Sequence, residues 1–182
     1  MITSVFILGE EKMINIAING FGRIGRMFLR TAWNNDSINI VAVNDLTSTE
    51  ALAALLKRDS VHGRFDQDVS YTENSIRVDG QEIPVYQEKS PKDLPWGKHG
   101  VDVVIESTGF FRTKDKAQMH LDAGAEKVVI SAPAKGDKDV KTIVMGVNEK
   151  EYSGESIVSN ASCTTNCLAP LAKVLNDNYN VR

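Results

Sequence analysis

The chain has 182 residues, of which 42% are hydrophobic and 25% are charged, a composition typical of a globular protein with one hydrophobic core. Its net charge is −3 and it has no basic run, so nothing indicates a nucleic-acid or membrane surface. Two cysteines close in sequence and three distant histidines form neither a disulfide framework nor a zinc site, which favours a cytoplasmic protein without a metal.

Residues 1–12 precede a second methionine and differ from the sequence that follows. Their apolar part is too short to span a membrane, and they lack the basic start and cleavage site of a signal peptide. We expect them to form an N-terminal extension, with an extra edge strand as the alternative.

A glycine-rich motif follows the first clear strand. The stretch from Ile14 to Asn19 is β-prone and largely apolar, as is typical of a parallel strand buried on both faces. Gly20, Gly22 and Gly25 then form G-x-G-x-x-G, and a helical pattern runs from Ile24 to Trp33. The first glycine makes the tight turn, the second lets the backbone approach a pyrophosphate, and the third lets helix and strand pack closely. In this context the motif predicts a dinucleotide site at the helix N-terminus.

An acidic residue stands at the expected distance from this motif. A second strand, from Ile38 to Asn44, leads to Asp45, about twenty residues after the last glycine. A carboxylate there accepts hydrogen bonds from the adenosine ribose and repels a 2′-phosphate, so NAD is favoured over NADP. The alternative is that Asp45 caps the next helix. We consider it weaker because Thr47 and Glu50 form a plausible capping box for a helix from Ser48 to Lys57.

The middle of the chain departs from simple alternation of strand and helix. Asp79 and Gly80 carry the signal of a hairpin turn between two short strands. We therefore expect an antiparallel insertion at the edge of the sheet. His62, which precedes it, is expected to be a loop or packing histidine rather than a ligand. The three strands of the insertion are predicted at Val69–Tyr71, Ser75–Val78 and Glu82–Tyr86.

Small and polar residues follow two later strands, predicted from Val101 to Glu106 and from Glu126 to Ile130. Because ligands bind at the carboxyl ends of strands in open α/β sheets, we expect Thr108, Gly109 and Ser131 to lie along the cofactor. For Ser131 a plain turn is the alternative. The remaining predicted elements are a helix from Lys114 to Asp122 capped by Thr113, a strand from Thr142 to Met145 and a short strand at Ile157–Val158.

Cys163 lies where an apolar run gives way to a helical pattern that includes residues 168–175. Unpaired backbone N–H groups and the positive end of the helix dipole favour a thiolate at such a position, so Cys163 is a candidate nucleophile. A buried structural cysteine is the alternative, against which the neighbouring Ser and Thr residues argue. Cys167 lies on the same helix face and is expected to pack structurally, with oxidative pairing to Cys163 as its alternative.

Six segments together closely resemble the phosphorylating glyceraldehyde-3-phosphate dehydrogenase family. The resemblance runs from about Met13 to Arg182, and the cysteine motif is highly specific. The segments are Asn19–Arg26, Val43–Leu46, Glu106–Gly109, Ser131–Pro133, Val144–Asn148 and Ser159–Cys167.

The resemblance implies roles for residues of the cofactor site. The backbone at Arg23 and Ile24 would meet the pyrophosphate, Asp45 the adenosine ribose, and Ser131 the cofactor near the nicotinamide. Lys89 falls where the family often has an arginine near the adenine. That substitution keeps the charge but loses the planar stacking surface.

The resemblance also implies an activity on glyceraldehyde 3-phosphate. The Cys163 thiolate would add to the aldehyde, the hemithioacetal would give its hydride to NAD, and inorganic phosphate would attack the thioester to form 1,3-bisphosphoglycerate. Ser162 and Thr164 resemble the residues that help hold a phosphate beside the cysteine. The parent protein would be a homotetramer.

The family's catalytic histidine lies in a substrate domain after the cysteine, and none of His62, His99 and His120 matches it. We therefore expect a Rossmann-type NAD-binding domain over residues 13–162 and a nucleophile helix over residues 163–182, with the C-terminal substrate domain absent. The expected fold is α/β, with a doubly wound, mostly parallel sheet and a short antiparallel insertion. Leu168, Leu171 and Leu175 are expected to be partly exposed.

Three alternatives remain open at this point. In the first, the chain is an NAD-binding module without turnover, which is favoured because no histidine here matches the family's catalytic histidine. In the second, the chain belongs to a relative that uses erythrose 4-phosphate. A semialdehyde dehydrogenase would share the plan of cofactor domain plus cysteine, but the Ser-Cys-Thr-Thr-Asn-Cys run is less like that family.

Overall fold

The structure is a computed structural model that describes residues 13–136 and 140–181. The expectations for residues 1–12 lie outside this range. In chain order the described strands are β1 (Ile14–Asn19), β2 (Ile38–Asn44), β3 (Arg58–Asp59), β4 (Gly63–Arg64), β5 (Val69–Tyr71), β6 (Ser75–Val78), β7 (Gln81–Tyr86), β8 (Val103–Glu106), β9 (Lys127–Ile130), β10 (Lys141–Thr142) and β11 (Ile157–Ser159).

The described helices are α1 (Arg23–Ala32), α2 (Thr49–Lys57), α3 (Lys114–Asp122) and α4 (Cys163–Tyr179), with short 3-10 turns at Pro91–Asp93, Gly97–His99 and Glu149–Glu151. No helix in the described parts of the chain is both long enough and apolar enough to cross a membrane.

Among the described residues, one sheet holds nine strands in the order β10-β11-β9-β8-β1-β2-β7-β6-β5. The pairs from β10 to β7 are parallel, and β5, β6 and β7 pair antiparallel at one edge. Asp79 and Gly80, with φ of 48° and 84°, form the predicted hairpin turn between β6 and β7. The strand order reverses at β1 as in a dinucleotide-binding sheet, which confirms the predicted fold class.

The central strand β1 contributes to two hydrophobic clusters on opposite faces of the sheet. Ile16 and Ile18 pack with α1 and α2 residues such as Leu29 and Leu56, whereas Ala17 belongs to the cluster around Trp96. Side chains alternate between the faces of a strand, so a strand covered on both sides must be apolar along its length. Because β1 is buried on both faces, its sequence is a nearly continuous apolar run.

The start of α2 differs from the prediction. Ser48 is the N-cap, and its side chain accepts a hydrogen bond from the backbone N–H of Ala51 at 3.4 Å. The capping box predicted from Thr47 and Glu50 is therefore wrong. The backbone N–H of Thr47 instead donates to the Asp45 carboxylate at 2.9 Å, which keeps Thr47 outside the helix.

Several predicted strand boundaries also need correction. Strand β7 begins at Gln81 rather than Glu82, and β11 ends at Ser159 rather than Val158. The strand expected from Thr142 to Met145 is only β10, because the backbone N–H of Val144 donates to the side chain of Asn148 at 2.8 Å and the chain turns there. Strand β8 begins at Val103 rather than Val101, whose N–H closes a turn onto the carbonyl of Trp96. Strand β9 begins one residue later than expected, at Lys127.

Helix α4 has no buried residue. Leu168, Leu171 and Leu175 are exposed, as predicted, and Val174 is exposed with them.

Candidate functional site

The three glycines of the motif have different surroundings. Gly20 has a φ of +90°, and a Cβ there would lie 2.7 Å from the backbone nitrogen of Thr108. A Cβ on Gly25 would clash with the Gly20 carbonyl oxygen and would lie 2.9 Å from Ile18. Gly22 has open space around its missing Cβ. The turn therefore requires Gly20, close packing of α1 on β1 requires Gly25, and Gly22 leaves the backbone accessible from outside.

The N-terminus of α1 faces this open space. Gly22 is the N-cap and has no side chain to satisfy the N–H groups of the first turn. Arg23 and Ile24, the first two helical residues, are exposed. Free N–H groups and the positive end of the dipole at one point suit an anion such as a pyrophosphate.

Arg26 holds the glycine turn, whereas Arg23 contacts a residue of β3. The Nη1 of Arg26 donates to the carbonyl oxygen of Phe21 at 2.9 Å, and burial lowers the pKa of Arg26 from its ordinary value. Arg23 forms an ion pair with Asp59 of β3 at 3.1 Å. Backbone N–H groups of His62 and Val61 hold the pKa of Asp59 down at about 2. His62 lies in an exposed loop, as predicted.

Asp45 lies beside the glycine turn. One of its carboxylate oxygens accepts the backbone N–H of Phe21 at 2.7 Å, and the other accepts the N–H of Thr47 at 2.9 Å. These bonds fix a half-buried carboxylate at the end of β2, next to the turn of the motif. The alternative in which Asp45 caps α2 is excluded, since Ser48 caps that helix.

Lys89 is exposed on a segment that is tied to the same edge. The side chain of Asn44, the last residue of β2, accepts the backbone N–H of Glu88 at 2.9 Å and donates to its carbonyl at 3.0 Å. This pair of bonds places Lys89 beside the carboxyl end of β2, on the side where the sequence predicts the adenine.

Thr108, Gly109 and Ser131 follow the carboxyl ends of β8 and β9. The backbone N–H and hydroxyl of Thr108 donate to one Glu106 carboxylate oxygen at 2.8 and 2.5 Å. Gly109 is exposed with a φ of +79°. The N–H of Ser131 donates to the carbonyl of Glu106 at 3.0 Å, which keeps the two strand ends together.

The loop that carries Cys163 is attached to the end of β9. The hydroxyl of Ser159 donates to the carbonyl of Ala132 at 2.7 Å, and the N–H of Asn160 donates to the carbonyl of Ile130 at 2.9 Å. These bonds bring the cysteine loop next to the Ser131 segment. Residues far apart in sequence thus meet at one edge of the sheet.

Cys163 is the first residue of α4, and it is exposed. Ser162 caps the helix by accepting the N–H of Thr165 at 2.9 Å, and its hydroxyl lies 2.8 Å from that of Thr164. The predicted position of Cys163 at a helix N-terminus is confirmed. The expectation that Cys167 packs structurally is wrong, because Cys167 is exposed on a helix that buries no residue.

Several buried polar residues beneath this edge were not predicted from the sequence. Asn19, Asn44 and Glu106 are the last residues of β1, β2 and β8, and His120 on α3 contacts Glu106. For Asn19, Asn44 and Glu106, the sequence does carry a sign of this role, because each is a polar residue at the end of an apolar strand. Across the described ranges, no group of three or more His, Cys, Asp or Glu side chains is arranged to hold a metal ion.

Comparison with known proteins places this site in a family. Residues 14–114 match the family described as glyceraldehyde 3-phosphate dehydrogenase, NAD binding domain. Glyceraldehyde-3-phosphate dehydrogenase 1 of Kluyveromyces lactis is 55% identical over 170 residues, which cover 93% of this chain and 51% of the relative. Glyceraldehyde-3-phosphate dehydrogenase 1 of Bacillus subtilis is 54% identical over 171 residues, covering 93% and 50%.

The enzyme named glyceraldehyde-3-phosphate dehydrogenase from Geobacillus stearothermophilus is 55% identical over 170 residues, covering 92% and 50%. The chain spans about half the length of the curated relatives that it matches. Its glycine turn, its fixed carboxylate and its open helix N-terminus fit the NAD that binds to domains of this kind. The chain belongs to the glyceraldehyde-3-phosphate dehydrogenase family and contains that family's NAD-binding domain.

Proposed function

We propose that this chain supplies the NAD site and the nucleophile for the oxidation of glyceraldehyde 3-phosphate, with inorganic phosphate, to 1,3-bisphosphoglycerate in glycolysis. The observation that carries the proposal is that the glycine turn, Asp45 and the Cys163 loop are held at one edge of the sheet. The names of the relatives support it. We further propose a cytoplasmic location, a homotetrameric parent protein, and domains over residues 13–162 and 163–182.

In this proposal the cofactor contacts come from both halves of the sheet. Gly20, Gly22 and Gly25, with the backbone N–H groups of Arg23 and Ile24, hold the pyrophosphate. On the β2 side, Asp45 accepts hydrogen bonds from the adenosine ribose, and Lys89 contacts the adenine. On the other side, Thr108 and Gly109 lie along the cofactor, and Ser131 contacts it near the nicotinamide. The open space at Gly22 and the adjacent fixed carboxylate support this arrangement.

The chemistry of Cys163 follows from its place at the start of α4. The N–H groups of the first turn and the helix dipole stabilise a thiolate, which adds to the substrate aldehyde. Bound NAD supplies the hydride acceptor that turns the hemithioacetal into a thioester. Ser162 and Thr164, whose hydroxyls lie together, hold the phosphate that attacks this thioester. Sulfur suits both steps because it is a good nucleophile and a good leaving group.

The test is NADH formation when the protein is mixed with NAD, glyceraldehyde 3-phosphate and inorganic phosphate. Cys167→Ser is the matched control, since both cysteines are exposed on the same helix. We expect NADH absorbance to rise with the wild type and with Cys167→Ser, and to stay flat with Cys163→Ser. Turnover that survives in Cys163→Ser would contradict the assignment of the nucleophile. Replacing glyceraldehyde 3-phosphate by erythrose 4-phosphate identifies the preferred substrate.

A second candidate function, an NAD-binding module without turnover, is favoured by the placement of the histidines. His120 is fully buried against Glu106, and His99 contacts the hydroxyl of Tyr86 at 2.6 Å. His62 lies in the loop beside Asp59. In the part of the chain that the structure describes, the contacts of these three histidines are with residues other than Cys163, so none of them is paired with it as a general base. Any Cys163-dependent NADH formation by this chain alone would rule out the second candidate.

A further inference from the structure

The loop of residues 159–162, which leads to Cys163, contains a strained residue. Ala161 is buried and has a φ of +58°, in the left-handed region that residues with a side chain rarely adopt. Such a conformation persists only where the surrounding structure holds the residue in place. The contacts that hold Ala161 therefore decide where the chain enters α4, two residues later.

On its upstream side the loop is fixed to the sheet. The hydroxyl of Ser159 accepts the backbone N–H of Ala161 at 3.1 Å and donates to the carbonyl of Ala132. The next residue, Asn160, donates its backbone N–H to the carbonyl of Ile130, the last residue of β9. The end of β9 thus holds the loop as far as the N–H of Ala161.

On its downstream side the loop is held by one side chain of α4. The amide nitrogen of Asn166 donates to the carbonyl of Asn160 at 2.7 Å and to that of Ser162 at 2.9 Å. Because both partners are acceptors, the nitrogen of the amide faces the loop, and both of its N–H groups are used there. The two carbonyls lie on either side of Ala161 in the chain. Asn166 therefore bridges the strained residue.

The same side chain also secures the cap of the helix. Ser162 is the N-cap of α4, and its carbonyl accepts both the side-chain amide and the backbone N–H of Asn166, each at 2.9 Å. Cys163 directly follows this cap. If Ala161 relaxed to a common backbone conformation, the chain would change direction just before the cap, and the cap would be displaced.

We propose that Asn166 is a positioning residue that keeps Cys163 at the N-terminus of α4 by holding the backbone of the preceding loop. The inference rests on the proposed function, in which that place makes Cys163 the nucleophile. Asn166 acts through the loop rather than on the substrate. The effect of a helix N-terminus on a thiol is confined to the first turn, so a small displacement of the cysteine is enough to lose it.

The primary variant is Asn166→Ala, which removes both donors. Its matched control is Asn178→Ala on the same helix, because the amide of Asn178 also donates to a carbonyl four residues earlier, that of Val174 at 2.7 Å. Both substitutions raise the helix propensity by a similar amount. The readout is the ratio of the rates at which iodoacetamide alkylates Cys163 and Cys167 in one sample, measured by mass spectrometry. Both thiols are exposed on α4, so a general loosening of the helix affects both.

We expect the ratio to fall by about threefold or more in Asn166→Ala and to stay within about twofold of the wild type in Asn178→Ala. Adding Ala161→Gly to Asn166→Ala should recover part of the loss, because glycine adopts the left-handed conformation without strain.

Asn166→Ser decides the matter if Asn166→Ala does not fold. A serine hydroxyl can still donate to the carbonyl four residues earlier, but it has one donor where the amide has two. The bridge across Ala161 is then lost while a contact to Ser162 remains. We expect the ratio to fall in this variant too.

The outcomes separate this inference from the proposed function. A ratio that is unchanged or raised in Asn166→Ala or Asn166→Ser, or that falls equally in Asn178→Ala, would show a merely structural role and overturn the inference. A double variant as impaired as Asn166→Ala would overturn it as well. A wild type in which Cys163 reacts no faster than Cys167 would overturn the proposed nucleophile and the inference with it. A faster Cys163 in the wild type, with the same ratio in the variants, would overturn the inference alone.

Discussion

At Gly20, one added methyl group should severely damage the fold. Its φ of +90° is a conformation that L side chains rarely adopt. The added Cβ would lie 2.7 to 2.9 Å from three backbone atoms of Ser107 and Thr108. Because all three atoms are backbone, no rotation of a side chain relieves the contact. The turn and the end of β8 would have to separate.

The cost of Gly20→Ala follows from these two effects. Strained backbone costs about 1–3 kcal/mol, and overpacking of a fixed structure costs about 1–3 kcal/mol. Together they should lower the free energy of unfolding by about 2–6 kcal/mol, a large share of the stability of a typical domain.

Gly22→Ala is the matched control, two residues away in the same motif. Its Cβ would have no heavy atom within 4 Å, and its φ is −68°. We expect a loss of stability of about 1 kcal/mol or less, as for Ala at an N-cap, together with weaker NAD binding because the methyl group blocks the approach to the pyrophosphate.

Both variants are measured by urea unfolding, followed by tryptophan fluorescence from Trp33 and the buried Trp96, and by calorimetric titration with NAD. Wild-type stability of Gly20→Ala would refute the packing argument. Wild-type NAD affinity of Gly22→Ala would refute the role given to the second glycine.

Three further changes test other parts of the structure. Asp45→Asn should weaken NAD binding by about tenfold and narrow the preference for NAD over NADP, measured by paired titrations; an unchanged preference would contradict the ribose contact. Asp59 has a pKa lowered to about 2, so its stabilisation is present above its ordinary pKa of 3.8 and disappears as the pH falls toward 2. We therefore expect Asp59→Asn to be less stable than the wild type at neutral pH and to lose less melting temperature than the wild type on acidification. Equal losses of melting temperature in the two proteins would contradict this. Leu56 is fully buried, so Leu56→Ala should lower the free energy of unfolding by about 2–5 kcal/mol. Leu55 is exposed, so Leu55→Ala should lower it by less than about 0.5 kcal/mol; equal losses in the two variants would contradict the difference in burial.

Local patterns predicted the parts of the fold that depend on neighbours in sequence. Strands β1 and β2 have the predicted bounds, because apolar runs between turn residues are sufficient to define strands buried on both faces. Cys163 begins α4 as expected, since Ser162 before it is a good N-cap. The glycine turn was predicted because each glycine has a distinct steric role.

Contacts between distant segments could not be predicted from local sequence patterns. Ser48 rather than Thr47 caps α2 because the Asp45 carboxylate takes the N–H of Thr47, and only the folded turn puts that oxygen there. The contact between Glu106 and His120 depends on how α3 packs beneath the sheet. Polar strand ends such as Asn19 were visible in the sequence, but their partners were not.

The central claim is that the NAD site and the Cys163 thiol form one site. The most direct test measures the rates at which iodoacetamide alkylates Cys163 and Cys167 in the same sample, with and without saturating NAD, by mass spectrometry of the peptides. Both thiols are exposed, so Cys167 controls for simple access. We predict that Cys163 reacts faster and that NAD changes its rate alone. Equal rates for the two thiols, or a Cys163 rate that NAD leaves unchanged, would contradict the claim.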